Sequence, residues 1–164
     1  PEPENRLLPE STCRQGTDGG VCERLQCRLA DAIGKVLQWK EKKEDLEEAI
    51  AHVHRQFDEK MPHHWCHTIS NAMIVCIGLL WGRQDFEKSI GIAVSAGFDT
   101  DCNGATVGSI IGMMLGARAL PESWTAPLGD RLRSGVDGMG LVAISQLADR
   151  TVAVLRDCQG KTAG

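Results

Sequence analysis

Residues 97–116 have the sequence GFDTDCNGATVGSIIGMMLG, in which an acidic loop leads into a glycine-rich apolar segment. Four glycines recur at four-residue spacing: Gly104, Gly108, Gly112 and Gly116. This spacing places them on one face of a helix. Because each costs about 0.5–1 kcal/mol relative to alanine in a helix, we expect a neighbouring helix backbone to approach that face. The stretch predicts a buried central helix from about Asn103 to Leu120, ended by Pro121.

Helical periodicity extends over most of the remaining chain. Apolar residues recur three and four apart in the segments 25–37, 46–57, 85–97 and 141–155, with Asp45 and Asp85 opening two of these helices. The apolar run 73–77 could form a buried strand, but its continuation to Leu80 favours a helix over 67–82. No segment alternates with period two. The sequence therefore predicts an all-α fold, a compact multi-helix orthogonal bundle over residues 21–164, after a linker or disordered segment at residues 1–20.

Composition narrows the class of protein. The 164 residues are 42% hydrophobic and 24% charged with a net charge of -4, which is typical of a globular domain with its own core. A mildly acidic chain with scattered Lys and Arg does not suggest a nucleic-acid partner. No apolar stretch reaches membrane-spanning length without being interrupted by a charged residue or a glycine. The seven cysteines are odd in number and form no Cys-x-x-Cys pair, so we expect a reduced, cytoplasmic setting rather than a disulfide scaffold.

The acidic loop is the strongest chemical signal. Asp99 and Asp101 stand two residues apart, and paired carboxylates suit a hard divalent ion such as Mg²⁺, Mn²⁺ or Ca²⁺. The loop also begins like an EF-hand, but the position that should hold a bidentate Glu is Ile110, which excludes that motif. Helix capping by Asp101 or Asn103 is the structural alternative. We predict a metal site with Asp99 and Asp101 as ligands.

The same stretch resembles the metal motif of a known family. Residues 98–109, FDTDCNGATVGS, are similar to the carboxy-terminal metal motif of the ADP-ribosylglycohydrolases, the relatives of dinitrogenase reductase-activating glycohydrolase. The likeness continues upstream through HTISNA at 67–72 and GRQDFEKSI at 82–90, and downstream through LPESW at 120–124. It covers roughly residues 36–154, which is most of the chain.

The resemblance implies an all-α hydrolase that cleaves the glycosidic bond between ADP-ribose and a protein side chain or a small acceptor, using two Mg²⁺ or Mn²⁺ ions. Asp99 and Asp101 would hold metal. Cys102 stands where the family usually has Thr or Ser; because sulfur is a poor donor for a hard ion, either water takes that coordination position or the thiol points away. Further implied substrate contacts are Gly97, Phe98, Asn103 and His67. The resemblance identifies no general base.

Two departures from the family pattern, Cys102 and the lack of the amino-terminal metal motifs, leave alternative functions open. The family's amino-terminal metal motifs, Gly-Asp-Ala and Thr-Asp-Asp, are absent here, and the chain does not begin with Met. We therefore expect the carboxy-terminal half of a larger enzyme, with the amino-terminal half as its partner and as the source of the general base. The alternative is a non-catalytic relative, either crystallin-like and structural or an interaction module.

All five histidines and Cys66 lie between positions 52 and 67, but their spacing matches no standard zinc pattern.

Overall fold

The structure, a computed structural model, describes the backbone of residues 20–161 and the side chains of residues 28–158. Its seven α-helices are α1 (Gly20–Glu41), α2 (Leu46–Gln56), α3 (Thr68–Gly82), α4 (Phe86–Ser95), α5 (Thr100–Leu115), α6 (Glu122–Thr125) and α7 (Ile144–Lys161). Two three-residue strands, β1 (Arg131–Arg133) and β2 (Leu141–Ala143), form the sheet of this part of the chain. The all-α prediction is confirmed. The predicted linker at 1–20 lies outside the described residues, apart from Gly20.

The chain divides into two compact units between Leu115 and Gly116. The first contains α1–α5 and a hydrophobic core to which every one of these helices contributes. Its fully buried apolar side chains are Ala32, Val36, Ala49, Val53, Met73, Ile74, Ile77, Ala93 and Val107. Because α3 supplies three of the largest of them, its run 73–77 is the centre of this core, and the helical interpretation of that run is confirmed.

Side-chain caps begin two of the helices as the sequence predicted. The Glu48 backbone N–H donates to Asp45 Oδ1 at 2.8 Å at the start of α2. The Lys88 N–H donates to Asp85 Oδ1 at the same distance at the start of α4. An N-cap carboxylate stabilises a helix because it satisfies a backbone donor that has no partner within the helix.

α4 packs against two of the four glycines of the glycine-rich helix, but the atoms nearest to them belong to side chains and not, as predicted, to a helix backbone. A Cβ on Gly104 would lie 2.9 Å from Val94 Cγ2, and a Cβ on Gly108 would lie 3.2 Å from Ile90 Cδ1, both on α4. The missing side chains therefore make room for α4 along α5. This packing fixes α5 against the helix that leads into the acidic loop.

The extent and burial of this helix were predicted wrongly. α5 ends at Leu115, because Gly116 adopts a φ of 77°, and a short 3₁₀ turn follows. The helix is also buried on one face only, since Met113 is 82% exposed and Met114 58% exposed. Within the described part of the chain, its neighbours α3 and α4 cover that single face.

The second unit contains α6, a β-hairpin and α7. In the hairpin β1 pairs antiparallel with β2, with Leu132 opposite Val142. The sequence predicted that the last helix begins at Leu141, but Leu141–Ala143 is strand and α7 begins at Ile144. Three-residue strands are too short to show an alternating pattern. Among the described residues, no helix is long and apolar enough to cross a membrane.

Candidate metal centre

The acidic loop joins α4 to α5 through two residues with left-handed backbone conformation. Gly97 has a φ of 84° and Phe98 a φ of 62°. Such angles are strained for a residue with a side chain. A Cβ on Gly97 would also run into the carboxylate of Glu59. The local backbone therefore requires glycine at 97. The turn that it forms with Phe98 leads directly into Asp99 and the first turn of α5.

Three side chains at this turn bring their ligand atoms together. One carboxylate oxygen each of Asp99 and Asp101 and the Sγ of Cys102 all lie within 4.8 Å of one another. Asp99 is half-buried, while Asp101 and Cys102 are exposed. Among the residues that the structure describes, this is the group of acidic, thiol or imidazole ligands compact enough to hold an ion.

Cys102 directs its thiol toward the acidic pair. The adjacent Asp99 carboxylate, as an acceptor for the thiol proton and as a negative charge, raises the pKa of Cys102 above its usual range, with smaller contributions from partial desolvation and from the charge of Asp101. Two carboxylates are suitable donors for Mg²⁺ or Mn²⁺, but a thiol beside them suits softer ions. The donor set thus fits a divalent ion, with Cys102 as its atypical member.

Asn71 on α3 holds the backbone of the acidic loop. Its Oδ1 accepts a hydrogen bond from the Asp99 N–H at 3.1 Å and a second from Asn103 Nδ2 at 2.7 Å. Asn71 was not predicted as a site residue, although it lies inside the stretch HTISNA at residues 67–72. Its role was not visible there because its two partners follow 28 and 32 residues later.

Two further side chains, neither of them predicted from the sequence as a site residue, support the same loop. Glu59 Oε2 accepts from the Phe98 N–H at 3.1 Å. His54 Nε2 donates to the Ala96 carbonyl oxygen at 2.8 Å, and its ring lies 4.6 Å from that of Phe98. With Asn71, side chains from three separate positions thus bind consecutive parts of the turn.

The family comparison agrees with this architecture. A model of the ADP-ribosylglycohydrolase family matches residues 9–161. The chain belongs to the ADP-ribosylglycohydrolase family. The resemblance stated from the motif at 98–109 is therefore confirmed, and the glycohydrolase type of enzyme follows from it. Neither the comparison with curated proteins nor that with solved structures found a significant match.

The other predicted site residues of this member of the ADP-ribosylglycohydrolase family lie around the same turn. Gly97 and Phe98 form the left-handed link, and the Phe98 ring is only 8% exposed. Asn103 is 2% exposed. Because the side chains of Phe98 and Asn103 face other protein groups, they support the loop from inside. Their predicted contacts with substrate stay predictions.

His67 caps α3 at the end that also carries Asn71. Its Nδ1 accepts from the Ile69 N–H at 3.1 Å. Since the neutral ring carries its proton on the other nitrogen in that case, Nε2 is the donor. Burial, and to a lesser degree the charge of Arg28, lowers the pKa of His67. The ring is therefore neutral near pH 7, and a substrate contact through Nε2 stays a prediction.

Proposed function

We propose that this chain supplies the carboxy-terminal part of the metal centre of a hydrolase. The enzyme would cleave the glycosidic bond between ADP-ribose and a protein side chain or a small acceptor. The observation that carries the proposal is the cluster of Asp99, Asp101 and Cys102, whose ligand atoms lie within 4.8 Å of one another in a member of the ADP-ribosylglycohydrolase family.

The acidic pair is the part of the chain suited to hold a divalent ion. A metal ion bound there would orient ribose and water oxygens and stabilise negative charge that develops on them. Asp99 would contribute a carboxylate on a residue whose backbone is held by hydrogen bonds. Asp101 would contribute an exposed carboxylate whose side chain can change conformation. We expect Mg²⁺ or Mn²⁺, with two ions in the complete centre.

Hydrolysis of a glycosidic bond also needs a group that accepts the proton of the attacking water. A carboxylate engaged as a metal ligand is poorly available for that role. We therefore assign Asp99 and Asp101 to binding rather than to proton transfer, and place the general base in an amino-terminal half of the enzyme.

A metal titration tests the centre directly. We expect Asp101→Ala to weaken Mn²⁺ binding about tenfold or more, because it removes a charged ligand. In the enzyme that contains both halves, it should also abolish release of ADP-ribose from modified arginine, modified serine or a small acceptor. The matched control is Asp31→Ala, which removes an exposed carboxylate from α1, well before the acidic loop in the chain. Equal Mn²⁺ affinity in these two variants, measured by calorimetry, would refute the proposed centre.

The atypical Cys102 favours one alternative, a non-catalytic relative that keeps the fold as a structural or interaction protein. Metal binding that depends on Asp101, together with no ADP-ribose release from any of the three substrate types by a protein that contains both halves, would favour this second function.

A further inference from the structure

The amide of Asn71 uses all of its hydrogen-bonding capacity at the acidic loop. Its Oδ1 accepts the two bonds from Asp99 and Asn103 already described. Its Nδ2 donates to the Trp65 carbonyl oxygen at 3.0 Å and to the His67 carbonyl oxygen at 3.1 Å. An amide offers two acceptor sites and two donor hydrogens, so the side chain is fully satisfied and its orientation is fixed by its partners.

Asp99, Asn103 and Asn71 form a closed triangle of hydrogen bonds. The Asp99 N–H binds Asn71 at 3.1 Å, the Asn103 N–H binds the Asp99 carbonyl oxygen at 2.9 Å, and the Asn103 amide returns to Asn71 at 2.7 Å. Both main-chain polar groups of Asp99 are therefore held, and the Asn103 side chain is 2% exposed. Only the carboxylate of Asp99 is left for other partners.

This support matters because the loop is strained just before Asp99. Gly97 adopts its positive φ at little cost, but the φ of 62° at Phe98 is uncommon for a residue with a side chain and persists only where surrounding contacts enforce it. The Asn71 oxygen accepts a hydrogen bond from the next backbone donor, the N–H of Asp99.

We propose that Asn71 is a positioning residue that sets the affinity of the metal centre by fixing the backbone of Asp99. The proposal rests on the proposed metal centre. Residues that orient metal ligands commonly change metal affinity 10–100-fold when they are replaced. We therefore expect Asn71→Ala to bind Mn²⁺ at least about tenfold more weakly than the unchanged protein.

Asn71→Asp separates positioning from a merely structural role. This variant keeps the oxygen that accepts from Asp99 and Asn103, but it loses the two donors to Trp65 and His67. If the acceptor is what matters, Mn²⁺ affinity stays within about threefold of the original, a small part of the effect that such residues usually have. If Asn71 only holds the segment before α3, the Ala and Asp variants lose affinity equally, and the proposal is overturned.

A double variant controls for the carboxylate that Asn71→Asp introduces. Thr68→Asp combined with Asn71→Ala adds the charge three residues earlier on α3, on the same face of the helix, without an acceptor at position 71. We expect it to bind Mn²⁺ as weakly as Asn71→Ala alone. Recovery of affinity in this double variant would show that charge, not position, is responsible, and would overturn the proposal.

Asp45→Ala and Asp101→Ala complete the titration series. Asp45→Ala removes the N-cap of α2 and is a control for the loss of a capping hydrogen bond elsewhere in the fold; we expect its Mn²⁺ affinity to be unchanged. Unchanged affinity in Asn71→Ala alongside loss in Asp101→Ala overturns the positioning role alone. Unchanged affinity in Asp101→Ala overturns the centre as well. If Asn71→Ala does not fold, Asn71→Leu takes its place, because leucine has a similar shape but offers no acceptor to the Asp99 N–H, and an unchanged affinity there overturns the proposal.

Discussion

Replacing Gly82 with alanine tests how closely α3 and α4 approach one another. A Cβ at this position would lie 2.7 Å from the Cα and 2.7 Å from the Cβ of Ser89 on α4. Carbon atoms pack without repulsion at about 3.5–4.0 Å, so α4 would have to move by about 0.8 Å or more. The Ser89 hydroxyl lies nearer still, and although it could rotate away, the Cα of Ser89 is backbone and could not.

The expected free-energy change follows from two opposing terms. Overpacking of this kind costs about 1–3 kcal/mol. Alanine returns at most about 1 kcal/mol through helix propensity, and less at Gly82 because it is the last residue of α3. We therefore expect the free energy of unfolding of Gly82→Ala to fall by about 1–2 kcal/mol. The measurement is urea denaturation of the whole chain, followed by tryptophan fluorescence.

Gly91→Ala is the matched control on α4. No atom lies within 4 Å of a Cβ built at Gly91, so only the propensity term applies and stability should rise by about 0.5–1 kcal/mol. The two alanine variants should therefore move in opposite directions. If both shift the free energy of unfolding equally and in the same sense, the argument from close helix approach is refuted.

Two more predictions concern the thiol and the second unit. Cys102→Thr should strengthen Mg²⁺ binding and weaken Cd²⁺ binding in calorimetric titrations, because it replaces a soft donor with a hard one. An equal change in the affinities for the two ions would exclude a contact between the sulfur and the ion. Hydrogen bonds from the Ser145 hydroxyl and N–H lower the pKa of Asp130. The stability they contribute is present above the unfolded pKa of about 4 and is lost as pH falls through the lower folded value. Ser145→Ala should flatten this acid dependence, and an unchanged pH profile of unfolding would contradict the assignment.

Local patterns made the helices predictable. The caps at Asp45 and Asp85 and the apolar run 73–77 each depend on residues within one or two turns, so sequence periodicity was sufficient. The end of α5 was not predictable in this way, because a glycine at 116 is compatible both with a helical face and with the left-handed backbone that it adopts. The hairpin at 131–143 was missed because its strands have three residues each.

The sequence by itself determined the family, the helical class and the acidic pair Asp99 and Asp101, since these depend on residue types at short spacing. Tertiary structure decided how the pair is held. Asn71 reaches Asp99 across 28 residues and Glu59 reaches Phe98 across 39. Such contacts exist only after α2, α3 and α5 have packed, because no local pattern records which distant amide or carboxylate will meet a given backbone N–H.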